Sequence, residues 1–194
     1  MRSRLWAVVA VFLLAACVPL QTAPVRYYAL SPTVEGSPEP TSGASSLALA
    51  SVTIPAYLDR TAILRFESPN RLRVHESDNW LEPPAQAIAR VLAEDLHRLL
   101  GLREVYLPEH RFPEDLAWRV EVDVFDFRLG PGDRVVLDAQ WRVIGMHQRR
   151  RAAGRERIVL PIARADDLEA GAAAMSEALG ELARRIARAI PGKR

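Results

Sequence analysis

The chain has 194 residues, of which 49% are hydrophobic, 26% are charged and 7% are aromatic. This length allows one domain with a substantial core, and the composition is too polar for a protein that crosses a membrane many times. Lysine and arginine total 26 against 24 aspartates and glutamates, so the overall charge gives no indication of nucleic-acid binding. The single cysteine excludes an internal disulfide and any paired-cysteine metal or redox motif.

The N-terminus has the pattern of a bacterial lipoprotein signal. Arg2 and Arg4 precede an apolar run over residues 5–16, which is shorter than the roughly 20 residues that a bilayer core requires. The run ends in Leu14-Ala15-Ala16-Cys17, typical of a lipobox, in which small residues fit the signal peptidase and the cysteine thiol carries the lipid. The alternative is a buried cysteine in an ordinary signal-peptide core.

If Cys17 is lipidated, it marks the start of the mature chain and predicts the membrane at which the protein resides. Neither Val18 nor Pro19 is acidic, which by analogy with lipoprotein sorting in enteric bacteria favours the outer membrane, facing the periplasm. Because each buried CH₂ contributes about 0.8 kcal/mol, two or three acyl chains hold a protein durably at a membrane. The predicted parts are a signal peptide over residues 1–16, a lipidated tether over 17–25 and one domain over 26–194.

Strands and two helices are predicted along the mature chain. The segment 31–46 is rich in proline, serine and glycine and predicts a flexible loop. A helix is predicted from Pro83-Pro84 to about Leu100, and a second over about 167–190, because apolar residues recur every three or four positions. Short strands are predicted over residues 26–30, 47–54, 62–66, 72–75, 105–107 and 157–162.

A long hairpin is the clearest element. Apolar and polar residues alternate over 118–124 and again over 135–143, around a Gly-Pro-Gly-Asp turn at 130–133. If Gly130 pairs with Asp133, Glu121 lies opposite Arg142 and apolar residues oppose one another on the other face. This order of elements predicts an α+β fold, a two-layer domain with a mostly antiparallel or mixed sheet and two main helices.

Near its turn, the same hairpin becomes apolar on both faces. Alternation places four residues on the face that is polar at Glu121, and this face must be covered by something. Either a loop of the same chain covers this face, or a second copy of the chain or a partner protein does. The four residues are therefore a candidate surface for association with a partner or for a homo-oligomer. They are Phe125, Phe127, Leu129 and Val136.

No catalytic, metal or cofactor site is predicted. The four histidines show no metal-binding spacing, and neither a nucleophile elbow nor a phosphate-binding glycine loop is present. The acidic pair Asp166-Asp167 is better explained as a helix cap than as an acid–base pair. The arginine cluster of Arg149–Arg157 predicts either a solvated hairpin loop or contact with anionic lipid headgroups or an acidic partner.

Four motifs together resemble the auxiliary lipoproteins of ABC-type transport systems, a family that includes the lipoprotein of the paraquat-inducible system. Each is modest alone, but their order and spacing are similar to the family's over residues 17–190. The residues of these motifs to which we assign structural roles are Tyr28, Pro55, Tyr57, Leu58, Trp80 and Pro83. The motifs are Tyr27-Tyr28-Ala29-Leu30, Val52–Arg60, Trp80-Leu81-Glu82-Pro83 and the strand Val120–Phe127.

The resemblance implies a function without an active site. Such a lipoprotein faces the periplasm from the outer membrane and works with an inner-membrane MCE-domain protein, and in some systems an ABC permease, to move lipids between membranes. The aromatic side chains of Tyr57 and Trp80 then serve either core packing or partner docking. The alternative function is a lipid-anchored envelope hydrolase whose active site follows no familiar motif.

The lipidation site is testable by one substitution. We expect the Cys17→Ala chain to remain an uncleaved precursor without acyl chains, because the thiol that carries the lipid is gone. Metabolic labelling with a clickable fatty acid measures the difference between this chain and the wild type. Equal labelling of the two would contradict the predicted anchor.

Overall fold

The elements of the computed structural model follow the apolar periodicity of the sequence. It describes residues 24–36, 46–147, 151–164 and 166–190, so Cys17 and most of the polar loop at 31–46 lie outside the described residues. Over these ranges no helix is both long and apolar enough to span a bilayer. The elements are β1 (Arg26–Tyr28), β2 (Leu47–Thr53), β3 (Ala62–Ser68), β4 (Arg71–Trp80), α1 (Pro84–Leu100), β5 (Val105–Tyr106), β6 (Trp118–Gly130), β7 (Arg134–Gly145), β8 (Arg151–Pro161) and α2 (Leu168–Ala189).

All the strands form one mixed sheet around β6. On one side, β7 pairs antiparallel with β6, and β8 pairs antiparallel with β7. On the other side, β6 has two neighbours in succession: β2 lies parallel to its first half, and β3 joins it near its end through Arg65 and Leu129. Outward from β3 come β4, antiparallel, and then β1, parallel to β4, while β5 pairs in parallel with the start of β2 along its other edge. The predicted α+β class with a mixed sheet is confirmed.

Both helices lie on one face of this sheet. Helix α1 packs on β2 and β5, α2 packs on β6, β7 and β8, and the two helices pack on each other. Helix α1 begins after Pro83 and ends at Gly101, whose φ of 56° is left-handed and therefore favours glycine. Helix α2 is capped by Asp167, whose carboxylate accepts hydrogen bonds from the backbone N–H of Glu169 at 2.9 Å and of Ala170 at 3.1 Å, which confirms the predicted cap.

The predicted register of the hairpin is correct in its first half and wrong at its turn. Glu121 lies opposite Arg142, whose Nε is 3.0 Å from a Glu121 carboxylate oxygen. Gly130, however, pairs with Arg134 rather than with Asp133. A β-bulge between Val124 and Asp126 shifts the pairing by one residue. For this reason the prediction, which was wrong by one residue at the turn, was still correct for the pairs beyond the bulge.

The bulge overturns the predicted apolar patch. Because Phe125 is the extra residue, the alternation of β6 reverses after it, and Phe127 and Leu129 point to the helix-covered face with exposures of only 4% and 2%. Val136 points to the opposite face but is also buried, at 5% exposure. Phe125 alone is exposed, at 46%, with the Arg155 guanidinium 4.7 Å from its ring centre. The four residues therefore form no common surface.

The arginine cluster is also placed differently from the prediction. Strand β8 begins at Arg151 instead of residue 157, so its described arginines lie on a strand rather than in a loop. Gly154 makes the longer strand possible, because an added Cβ there would be 2.6 Å from the buried ring of Trp141. The Arg155 guanidinium binds the Asp138 carboxylate through two hydrogen bonds of 3.0 and 3.2 Å. Arg149 and Arg150 lie outside the described residues.

The bulge predicts opposite outcomes for two nearby phenylalanines. We expect Phe127→Glu to lower the free energy of unfolding by roughly 3–5 kcal/mol or more, because it removes a core ring and buries a carboxylate. Phe125→Glu, with the same chemical change at an exposed position, serves as the control and should stay close to wild type. Urea unfolding measures both. A Phe127→Glu chain as stable as the wild type would contradict the reversed alternation.

Candidate functional site

A buried carboxylate holds β1 against β4 where the chain enters the sheet. Asp78 is 4% exposed. It accepts hydrogen bonds from the Arg26 guanidinium at 2.6 and 3.0 Å and from the Tyr28 hydroxyl at 3.1 Å, and His75 Nδ1 lies 3.6 Å from it. The hydrogen bond from Arg26 keeps the pKa of Asp78 below its ordinary value in spite of burial. Burial and the neighbouring Asp78 raise the pKa of Tyr28.

A second buried carboxylate fixes the segment that follows β1. Asp95, in α1, is fully buried and accepts hydrogen bonds from the backbone N–H of Thr33 at 3.2 Å and of Val34 at 3.1 Å. Burial raises its pKa, against the effect of those two bonds. The segment comes so close to α2 that a Cβ at Gly180 would overlap the Thr33 hydroxyl. Asp95 thus replaces the backbone partners that this irregular segment lacks.

Two arginines of α1 complete the attachment. Arg90 donates a hydrogen bond of 2.8 Å to the carbonyl of Leu30, and Arg98 donates one of 3.2 Å to the carbonyl of Val34. Three side chains from one helix therefore bind four backbone groups of residues 30–34. The N-terminal segment is a fixed part of the domain from β1 to Val34.

An open cleft of about 870 Å³ lies between β1 and the start of α2. Its polar groups include Arg26, His75, Asp166 and Asp167. Asp167 is already the cap of α2 and binds Arg164 at 2.9 Å, while Asp166 lies 3.5 Å from Arg65. Among the described residues no group of three metal-ligating side chains occurs. Asp166 and Asp167 thus both have structural partners.

The structure brings together some of the residues predicted from the family-like motifs. Tyr28 pairs with Trp80 across β1 and β4, and both pack against the core. Leu58 and Trp80 line a mostly apolar cavity of about 30 Å³ whose other walls come chiefly from β3, β6 and the two helices. Pro55 ends β2, where its carbonyl accepts a hydrogen bond from the N–H of Leu58 at 2.9 Å. These residues close the core where β2 and β3 separate.

Tyr57 and Pro83 lie apart from that cavity. Tyr57 is 44% exposed and contacts the ring of Phe66 edge-on, with ring centres 6.2 Å apart. Pro83 precedes α1, and its carbonyl accepts the hydrogen bond from Ala87 N–H at 3.0 Å. Tyr57 is therefore on the surface, whereas Pro83 sets the start of a helix.

The sheet face opposite the helices carries a feature that sequence reasoning missed. Leu64 and Phe66 of β3 pair directly with Val74 and Leu72 of β4, so these four side chains share that face. Tyr27 of β1 belongs to the same face, because Tyr27 and Ala62 both pair with Asn79. The sequence indicated this apolar face through the adjacent residues Ile63 and Leu64, because consecutive apolar residues in a strand point to opposite faces of the sheet.

We call this feature the apolar sheet surface. Val25 and Leu81 extend it, because they continue the alternation of β1 and β4 beyond Tyr27 and Asn79. Over β6 to β8 the same face also carries ion pairs, such as Arg142 with Glu121 and Arg155 with Asp138. Exposed members of the surface are Val25, Tyr27, Tyr57, Leu72, Val74 and Leu81.

The sequence matches the family described as ABC-type transport auxiliary lipoprotein component over residues 28–187. The chain belongs to this family. The resemblance found in the sequence motifs is thus confirmed. Membership supports a transport-associated role and a membrane-anchored place in the cell envelope, and it suggests a protein without catalysis of its own.

Solved structures share the fold of this auxiliary lipoprotein. The crystal structure of an uncharacterised protein superposes with a TM-score of 0.70 at 18% identity, covering 87% of this chain and all (100%) of the other. A Xanthomonas campestris protein of the DUF330 family superposes with a TM-score of 0.65 at 16% identity, covering 82% and 91% of the two chains. The comparison with curated proteins gave no match.

The Asp78 cluster predicts an acid-sensitive attachment of β1. Because the pKa of Asp78 is lowered on folding, its contribution to stability is complete above the ordinary aspartate pKa and is lost as the pH falls through the folded-state pKa. We therefore expect Asp78→Asn to lower the melting temperature at pH 7, and the difference from wild type to shrink on acidification below about pH 4. Amide exchange at Tyr27 and Tyr28 should also be faster in the variant.

Glu67→Gln is the matched control for Asp78→Asn. Glu67 binds Arg71 and Arg73 near the β3–β4 turn, and its pKa is likewise lowered by hydrogen bonding to Arg73, but it does not contact β1. Its substitution should leave the exchange of the β1 amides unchanged. Equal effects of the two variants on β1 would contradict a specific role of Asp78.

Proposed function

We propose that this auxiliary lipoprotein is a non-enzymatic, lipid-anchored periplasmic component of an MCE/ABC-type system that transports lipids between membranes. In this proposal Cys17 carries the lipid, the chain resides in the outer membrane, and the domain docks or scaffolds the transporter there. The family match over residues 28–187 carries the proposal.

The N-terminal attachment supports a scaffolding role. The described residues start at Pro24, close after the proposed lipid, and from Arg26 to Val34 the chain is fixed by Asp78 and by side chains of α1. An anchor joined to a domain by so few residues positions that domain near its membrane. Such positioning suits a component that meets a partner reaching across the periplasm.

The polar clusters give less support to the alternative hydrolase. A hydrolase requires a nucleophile beside a base or an activated water. Behind the cleft next to β1, Asp78 is bound by Arg26 and Tyr28, and in the cleft Asp167 caps α2. Both carboxylates have structural roles that catalysis would disturb.

Partner capture in intact cells tests the proposal. The full chain, encoded in its own cells with a C-terminal tag, is crosslinked before lysis, and the captured proteins are identified by mass spectrometry. We expect an MCE-domain protein or an ABC permease to be enriched, and the chain to sediment with the outer membrane. Cys17→Ala is the control: as an uncleaved precursor it keeps its apolar signal segment, but it should be absent from the outer-membrane fraction and should lose the enrichment.

Two results would overturn this function. If the chain is recovered with the inner membrane, the proposed outer-membrane location is wrong. Capture of no transport component, together with reproducible hydrolysis of ester or glycan substrates by the purified chain, would favour the hydrolase.

Phe125 is the exposed residue of the predicted association patch. A crosslinkable amino acid at this position would test contact with the partner or with a second copy.

A further inference from the structure

Tyr57 and Arg128 lie over Phe66 in the middle of the apolar sheet surface, but its members on β1 and β4 stay exposed. Leu81 is 67% exposed, Tyr27 65% and Val25 53%, whereas Tyr57 is 44% exposed and Leu72 and Val74 are each 38% exposed. Exposed large apolar groups gathered on one face are typical of an interaction surface. The exposed fraction is largest at the β1 end.

That end is also where the chain leaves toward Cys17. Eight residues, 18–25, separate Cys17 from Arg26, and at about 3.3 Å per residue they span at most ~26 Å. Tyr27 and Leu81 thus lie within one short tether length of the acyl chains, if Cys17 is lipidated as the proposed function holds. The most exposed apolar groups are therefore the ones nearest to the membrane.

The chemistry of the surface matches a bilayer interface. Tyrosine has an apolar ring and a polar hydroxyl, a combination that is enriched at the boundary between acyl chains and headgroups. The surface combines aliphatic side chains with the rings of Tyr27 and Tyr57, whereas the ion pairs of Arg142 with Glu121 and of Arg155 with Asp138 lie over β6–β8. A headgroup region accepts such a surface without the shape complementarity that a protein partner requires.

We propose that the apolar sheet surface rests on the membrane that holds the lipid anchor, with Val25, Tyr27 and Leu81 in the headgroup region. The lipid then supplies attachment, and this surface supplies orientation. The helix-covered face points away from the bilayer. The proposal rests on the lipidation of Cys17 in the proposed function and adds to it a defined side of the domain.

Site-specific quenching tests the orientation. Cys17 is the only cysteine, and its thiol is consumed when it is lipidated, so an introduced cysteine is the single reactive thiol. Leu81→Cys in the full lipidated chain is labelled with an environment-sensitive dye and placed in vesicles of phosphatidylethanolamine and phosphatidylglycerol containing a spin-labelled lipid. Ala173→Cys is the control, because Ala173 is exposed on α2, on the side of the domain that the proposal points away from the bilayer. Tyr27→Cys provides a second position on the surface.

We expect the spin-labelled lipid to quench the dye at residues 81 and 27 several-fold more than at residue 173. Equal quenching at all three positions overturns the proposal. Shielding at residue 81 that grows with protein density in vesicles without spin label also overturns it and assigns the surface to a second copy. The intact mass of each preparation separates the two hypotheses: an acylated chain without selective quenching refutes only the surface, whereas a chain without acyl groups removes the anchor and both proposals with it.

Discussion

Strand β6 has to satisfy two different neighbours along one edge while pairing with β7 along the other. Strand β2 accompanies it as far as Asp123, and β3 reaches it at Leu129. The bulge at Phe125 lies between these two points. Because a bulge increases the local bend and twist of a strand, it lets one strand pass from the first neighbour to the second.

The bulge also decides which side chains enter the core. Without the extra residue, Asp126 and Arg128 would point under the helices, and Phe127 and Leu129 would point away from them. Burying two charges there would cost several kcal/mol even for a paired aspartate and arginine. With the bulge, Arg128 lies 4.6 Å above the Phe66 ring and 3.1 Å from Asp126 on the face opposite the helices. The gap between β2 and β3 is closed by Leu58 and Trp80 around a small apolar cavity.

Local periodicity predicted much of the fold, because helices and hairpins depend on neighbours in sequence. The bounds of α1 follow from prolines at its start and Gly101 at its end. The bulge was not predictable from alternation, because Phe125 and Phe127 are chemically equivalent in a pattern of apolar and polar residues. The Asp78 cluster joins residues 52 positions apart, and no local pattern relates Arg26 to Asp78. Lipidation at Cys17 remains a prediction from the sequence.

The attachment of β1 sets the path along which mechanical load enters the domain. In a chain held by its N-terminus at a membrane, any force between the bilayer and the domain is transmitted through the three residues of β1. Because β1 lies alongside β4, a pull along its axis loads their hydrogen bonds in shear, where several bonds must break together. Behind β1, the bonds of Arg90, Asp95 and Arg98 to residues 30–34 form a second attachment in series. Tension is therefore carried first by the three β1–β4 pairs and then by the bonds to α1, before it reaches the rest of the domain.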